Sequence, residues 1–189
     1  FGSCWVCLIA FLFGDATIAG SPPVPYFGDF AEVNVRLYGV DASGRRGVVF
    51  ASLEASRLAA VLAARAAFSI PYFWSATSLI ETGGAIEYGA RRHVGDGATR
   101  LVARPGAELV IGDATADFLT ARWVLFSSSG QRHRFARAWH EPWSLRRAEA
   151  REVDDGLLQA AGLPRPEGSP LVHFSEGVDV RIGKPERYH

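Results

Sequence analysis

The stretch FAEVNVRLYG, Phe30 to Gly39, places Glu32, Asn34 and Arg36 at every second position, between Val33, Val35 and Leu37. A period of two is that of a β-strand, whose successive side chains point to opposite faces. One face is then apolar. The other carries a carboxylate, an amide and a guanidinium in a row. Such a face is either the wet side of an ordinary sheet or the wall of a cavity. In a cavity Arg36 would offer its planar fork to a carboxylate. The spacing alone leaves both open.

A second cluster is Trp139–His140–Glu141–Pro142–Trp143. It reads either as a proline-terminated strand whose tryptophans pack the core, or as an aromatic pocket rim with His140 as proton donor or acceptor. The other histidines, His93, His133, His173 and His189, form no HxH or HExxH pair. His133 and His140 fall on opposite sides of one strand, so no metal is expected. Cys4 and Cys7 make a CxxC, but inside the apolar run CWVCLIAFLF. On a strand these two positions face opposite ways, which favours two ordinary buried cysteines over a redox pair. Two cysteines cannot build a disulfide scaffold, and a reducing cytoplasm fits best. GxSxG, GxGxxG and the P-loop are all absent, so no nucleotide or other cofactor is expected.

The elements that must position these residues come next. At 189 residues the chain suits one domain with a real core. Formal net charge is zero and no charged block occurs, which argues against nucleic acid and membrane surfaces as partners. The run Cys4 to Phe13 is about half the length that spans a bilayer, and reads as a buried strand. The chain opens on Phe1 and contains no methionine, so an upstream piece is expected to be missing. Lys184 is the only lysine.

Ser21 to Tyr26 reads as a proline-rich loop and Asp41 to Gly47 as the turn of a hairpin that continues into Val48–Leu53. Ala55 to Phe68 is the clearest helix, with Leu58, Val61, Leu62 and Ala66 at helical spacing; Pro71 stops it. Tyr72–Leu79, Ala85–His93 and Arg100–Ala103 resemble a meander. Asp113–Thr120 reads as a short helix, Ala121–Phe126 as a strand, Ser127–Gly130 as a turn and Gln131–His140 as a further strand. A second helix over Asp154–Ala161 and strands at Leu171–Phe174 and Val178–Ile182 complete an α+β pattern with a mostly antiparallel sheet or barrel.

Five segments in this order resemble the YqjF-like family, bacterial proteins of uncharacterised function. They are Phe30–Gly39, Arg45–Ser75, Leu119–Phe126, Ala138–Leu145 and Leu171–Gly183. The family is grouped with the acetoacetate decarboxylase-like fold. The resemblance implies a cone-like antiparallel barrel with outer helices and a central cavity, with Glu32, Asn34 and Arg36 facing inward. The decarboxylase carries an Arg-Glu-Leu-Ser-Ala-Tyr-Pro-Lys run whose lysine forms a Schiff base. Here the matching residues are Arg65-Ala66-Ala67-Phe68-Ser69-Ile70-Pro71-Tyr72. A tyrosine cannot form an imine, so the fold carries over and the mechanism does not. The position implies that Tyr72 points into the cavity, with Arg36 or Arg65 as a nearby cation.

The expected function is therefore a cavity for a small organic anion such as a carboxylate, lined by Glu32, Asn34, Arg36, Arg65, Tyr72 and His140. An enzyme of unknown reaction, a non-catalytic binding or sensing module, and a cavity filled by its own side chains all stay open, as does the oligomeric state.

Overall fold

The computed structural model describes residues 5–14 and 29–188. Cys4, His189 and the proline-rich stretch Ser21–Tyr26 lie outside them. The first strands are β1 (Val6–Phe13), β2 (Phe30–Val40) and β3 (Arg46–Ala55). Helix α1 (Leu58–Phe68) follows, then the meander β4 (Tyr72–Thr82), β5 (Ala85–Arg92) and β6 (Ala98–Leu109). Helix α2 (Ala114–Thr120) leads into β7 (Val124–Ser129), β8 (Arg132–His140) and β9 (Arg146–Asp154). Short elements finish the chain: α3 (Gly156–Ala160), β10 (His173–Phe174), β11 (Val180–Ile182) and β12 (Glu186–Arg187).

The sheet branches at β3. One edge of β3 pairs antiparallel with β2, which pairs in turn with β1. The other edge carries two parallel neighbours: β7 along Gly47–Val49 and β4 along Leu53–Ala55. From β4 an arm runs through β5, β6 and β9 to β10, and from β7 another runs to β8, with β11 and β12 on its far side. All other pairings are antiparallel. The expected closed barrel is corrected here. The outermost strands, β10 and β11, are two and three residues long and do not meet, so the sheet of described residues stays open.

The expected central cavity is not shown either. The curled sheet packs its two faces on side chains instead. Val33 and Val35 of β2 meet Ala90 of β5 and Leu157 and Leu158 of α3 on one face. On the other, Val48, Phe50 and Leu53 of β3 meet Ile70, Leu125 and Ala136, beneath Ala64 and Phe68 of α1. The strand alternation is shifted once, where Val35 opposes Ser52 and Arg36 opposes Phe50. The extra residue, Ala51, is a β-bulge. It keeps Phe30, Glu32, Asn34, Arg36 and Tyr38 on one face with Ala55, Leu53, Phe50 and Val48.

Helix α1 is shorter than its alanine-rich stretch. Ala55 belongs to β3, opposite Glu32. The stripe that packs is Val61, Ala64 and Phe68 rather than Leu58 and Leu62, which are exposed. The helix ends at Ser69, left-handed at φ 56°, whose N–H returns to the Arg65 carbonyl. The Leu53 N–H then donates to the Pro71 carbonyl at 3.1 Å, which docks the start of β4 beside β3. Ser127–Ser129, expected as a turn, extends β7; the turn is the two residues Gly130–Gln131, with Gly130 at φ 58°.

Candidate functional site

The polar alternation of β2 is covered. Glu32 and Asn34 are buried to within 1% and 3% of full enclosure, and neither faces water. The cover over Glu32 is the α1–β4 junction. Tyr72, the first residue of β4, stands opposite Leu53 in parallel register and so shares the Glu32 face. Its hydroxyl donates to Glu32 Oε2 at 2.8 Å. Tyr72 as a whole is half-buried, which leaves the pair one side chain beneath the surface.

Burial dominates the electrostatics of this pair. Desolvation pushes the Glu32 carboxyl up to about 7. Hydrogen bonds from Tyr72 and Asn34 oppose the shift, and the charge of Glu54 adds to it. The Tyr72 phenol is held well above its usual range, by burial first and by Glu32 second, and keeps its proton. Beside them the Asn34 Oδ1 is buried with no partner among the described residues. A carboxyl that titrates near neutrality, a phenol fixed as donor and an amide oxygen awaiting a donor sit together on one strand face. That set can hold a polar ligand group or exchange a proton.

A second buried glutamate shows what a satisfied one looks like. Glu54 and Ser75 lie on the opposite sheet face, with Arg92 opposite Ser75. Glu54 is 0% exposed. It accepts from Ser75 Oγ at 2.6 Å and from both Nε and Nη2 of Arg92, the latter at 2.8 Å. The Arg92 guanidinium in turn lies 3.6 Å from the Phe73 ring centre. Here charge meets charge in a fork. Among the described residues Glu32 has no such cation.

Arg36 lies about 13 Å along β2 from Glu32, four residues at a strand's rise. Its Nε donates to the Tyr38 hydroxyl at 3.1 Å and its Nη2 to the Leu119 carbonyl of α2 at 3.1 Å. Arg36 is half-buried. No described contact joins Arg36 to Tyr72; the two share a sheet face, on which Tyr72 packs in one cluster with Tyr38 and Phe50.

The structure does not bring Arg65 or His140 to Glu32. Arg65 projects from the exposed side of α1, because the packed stripe is Val61, Ala64 and Phe68. His140 ends β8, 7% exposed, with Nδ1 2.8 Å from the Glu141 carbonyl. It stacks on Trp123 at 4.6 Å and meets Trp143 edge-on at 5.9 Å, while Trp139 is exposed beside Arg181. The aromatic cluster therefore exists, but it forms a separate site. Tyr38, Phe118 and Arg122 are the residues that sequence reasoning missed around Arg36. Tyr38 carried a signal, since it continues the even-numbered face of β2. Arg122 sits inside a segment that carries the family resemblance and was not singled out.

Among the clefts that open on the described surface are two with separate linings. One is lined by Gly39, Asp41, Phe126, His133 and Tyr188, the other by Phe30, Ser56, Arg57 and Thr77. Neither reaches Tyr72 or Arg122.

Comparison with solved structures shows the same fold. An acetoacetate decarboxylase from Legionella pneumophila superimposes with a TM-score of 0.58 at 9% identity, over 86% of this chain and 68% of that one. An acetoacetate decarboxylase-like enzyme from Sphingomonas wittichii RW1 gives 0.54 at 15% identity, over 87% and 70%. In sequence, the uncharacterised protein YqjF of Bacillus subtilis (strain 168) is 31% identical over 182 residues, which are 95% of this chain and 75% of that protein. Residues 1–179 match a family described as an uncharacterised conserved protein, domain of unknown function 2071, and the chain belongs to that family.

Proposed function

We propose that the protein binds a small ionisable organic acid against the polar face of β2, with Arg36 directed to the ligand's charge and the Glu32–Tyr72 pair to a polar or proton-exchanging group. The observation that carries this is Glu32: wholly buried, without a counter-cation, and with a carboxyl near 7 beside the unpartnered Asn34 oxygen. Solved proteins of this fold are named as acetoacetate decarboxylases, which puts keto acids among the ligands to try. A lysine imine forms no part of the proposal, because Tyr72 stands at the β4 start and the single lysine, Lys184, is exposed beyond β11. The proposal puts this role in the cytoplasm, in keeping with a chain that has only two cysteines. No helix among the described residues is long and apolar enough to cross a membrane.

The close packing over Glu32 favours a second reading: a core filled by its own side chains, in which Glu32 is structural. Mass spectrometry of small molecules released from the purified protein separates the two. Organic acids enriched with the wild type and lost from Arg36→Leu and Glu32→Gln support binding. No enrichment, with Glu32→Gln folding and behaving as wild type in every binding screen, supports the structural core.

A further inference from the structure

Three arginines converge where α2 ends. Arg122 follows α2 by two residues and is 4% exposed. Its Nε donates to the Phe118 carbonyl at 2.7 Å. Its Nη1 and Nη2 are buried and have no hydrogen-bond partner among the described residues. Phe118 and Tyr38 flank the guanidinium, their ring centres 4.0 and 5.0 Å from its central carbon. Arg36 approaches from β2 and Arg46 from β3, the latter 5.6 Å from the Phe118 ring centre. Among the described residues none of the three forms an ion pair with an acid.

A buried guanidinium ordinarily finds a carboxylate or a set of acceptors, because an unpaired buried charge is costly. Helix-end carbonyls take one N–H of Arg122 and one of Arg36. They leave the Nη1–Nη2 edge of Arg122 unmet, and Arg36 and Arg46 add like charge rather than relief. That edge presents parallel N–H groups to a planar, two-oxygen acceptor. The rings of Phe118 and Tyr38 beside the guanidinium suit the organic part of a small acid more than a hydrated inorganic ion.

We propose that Arg122, backed by Arg36 and Arg46, is the seat for the carboxylate of the bound organic acid. This rests on the anion-binding reading above and adds the group that receives the charge. It also places the carboxylate at the Tyr38–Phe118 end of the β2 face, away from Glu32.

The test uses purified protein at constant ionic strength, with sodium benzoate, sodium acetate and sodium chloride as probes, read by melting temperature and by titration calorimetry. Benzoate and acetate should raise the melting temperature of the wild type more than chloride does. Arg122→Met should weaken benzoate binding by about tenfold or more, the scale of a charge-assisted hydrogen-bond pair. Arg122→Lys keeps the charge without the fork, and should fold and respond to anions but lose the preference for carboxylate over chloride. Should benzoate bind Arg122→Met or Arg122→Lys with wild-type affinity and selectivity, the seat is wrong while the anion reading stands. Should no organic acid bind the wild type, both fall.

Discussion

The Tyr72 hydroxyl donates to the Glu32 carboxylate across 2.8 Å, although 40 residues separate the two in the chain. The contact exists because Pro71 docks the start of β4 against Leu53 of β3, while β2 pairs with the other edge of the same strand. A phenol that keeps its proton thus faces a carboxyl with no cation, on a sheet that elsewhere gives its buried glutamate an arginine.

The first prediction follows from the Glu32 shift. Its carboxyl lies at about 7 when folded, against a usual 4.5. Below 4.5 both the folded and unfolded chains hold the proton, and Glu32 adds no pH dependence. Between 4.5 and 7 the unfolded chain loses the proton while the folded chain keeps it, so stability falls as pH rises. The total is on the order of 3 kcal/mol. Urea denaturation from pH 4 to 8 should show this decline in the wild type and not in Glu32→Gln. Parallel curves for the two proteins would show that Glu32 does not titrate there.

Glu54 and Arg92 make the opposite case. Their side chains are 0% and 6% exposed and share a forked hydrogen bond. Arg92→Met leaves a buried carboxylate unpaired and should cost about 3–5 kcal/mol. Replacing both, Glu54→Leu with Arg92→Met, should recover most of that loss. Equilibrium unfolding of the three variants reads the pair; additive losses in the double variant would count against a coupled pair.

Much of this was legible in advance. The β2 alternation, the β2–β3 hairpin and the Ala-rich helix rest on short-range pattern, and the structure keeps them. Strand β9 was not seen, because in RRAEAREVD the half-buried face is only Arg146, Ala148 and Ala150 and the rest is exposed, which leaves too weak an apolar period. β6 extends past the expected Arg100–Ala103, through Pro105 and Gly106 to Leu109, because bulges against β9 absorb them. The branching at β3 depends on which strands meet at its second edge, a long-range choice that spacing does not encode. For the site, period two placed Glu32, Asn34 and Arg36 on one face. The same rule does not show what covers that face, so Arg65 was included and Arg122 was not.

The branching itself has a marker in Gly47. It stands beside Val124 where β3 and β7 run parallel. A Cβ there would collide with the Val124 carbonyl oxygen and lie 2.6 Å from the Phe126 ring. Backbone oxygen cannot move aside as a flexible side chain can. Gly47→Ala should therefore destabilise by about 1–3 kcal/mol, the usual cost of overpacking. Thermal unfolding checks it, with exposed Gly44→Ala unsuitable as control because Gly44 has φ 79°. Wild-type stability in Gly47→Ala would mean that β3 and β7 lie farther apart than described.

The last prediction concerns the chemistry of the fold's solved relatives. An imine-forming lysine needs an unprotonated amine, which enzymes secure by desolvation or a neighbouring cation. Lys184 has neither a buried site nor a place on the Glu32 face. It is exposed, between Gly183 and Pro185, after β11 has paired with β8. The β4 position that would present an amine to the Glu32 carboxyl holds Tyr72, whose oxygen cannot become an imine nitrogen. Incubation with acetoacetate and borohydride, followed by peptide mass spectrometry, should leave Lys184 at the background level of an exposed lysine. Stoichiometric reduction of an adduct onto Lys184, blocked by a competing carboxylate, would show that the amine reaches a binding site and that decarboxylase-type chemistry survives without the lysine of the helix end.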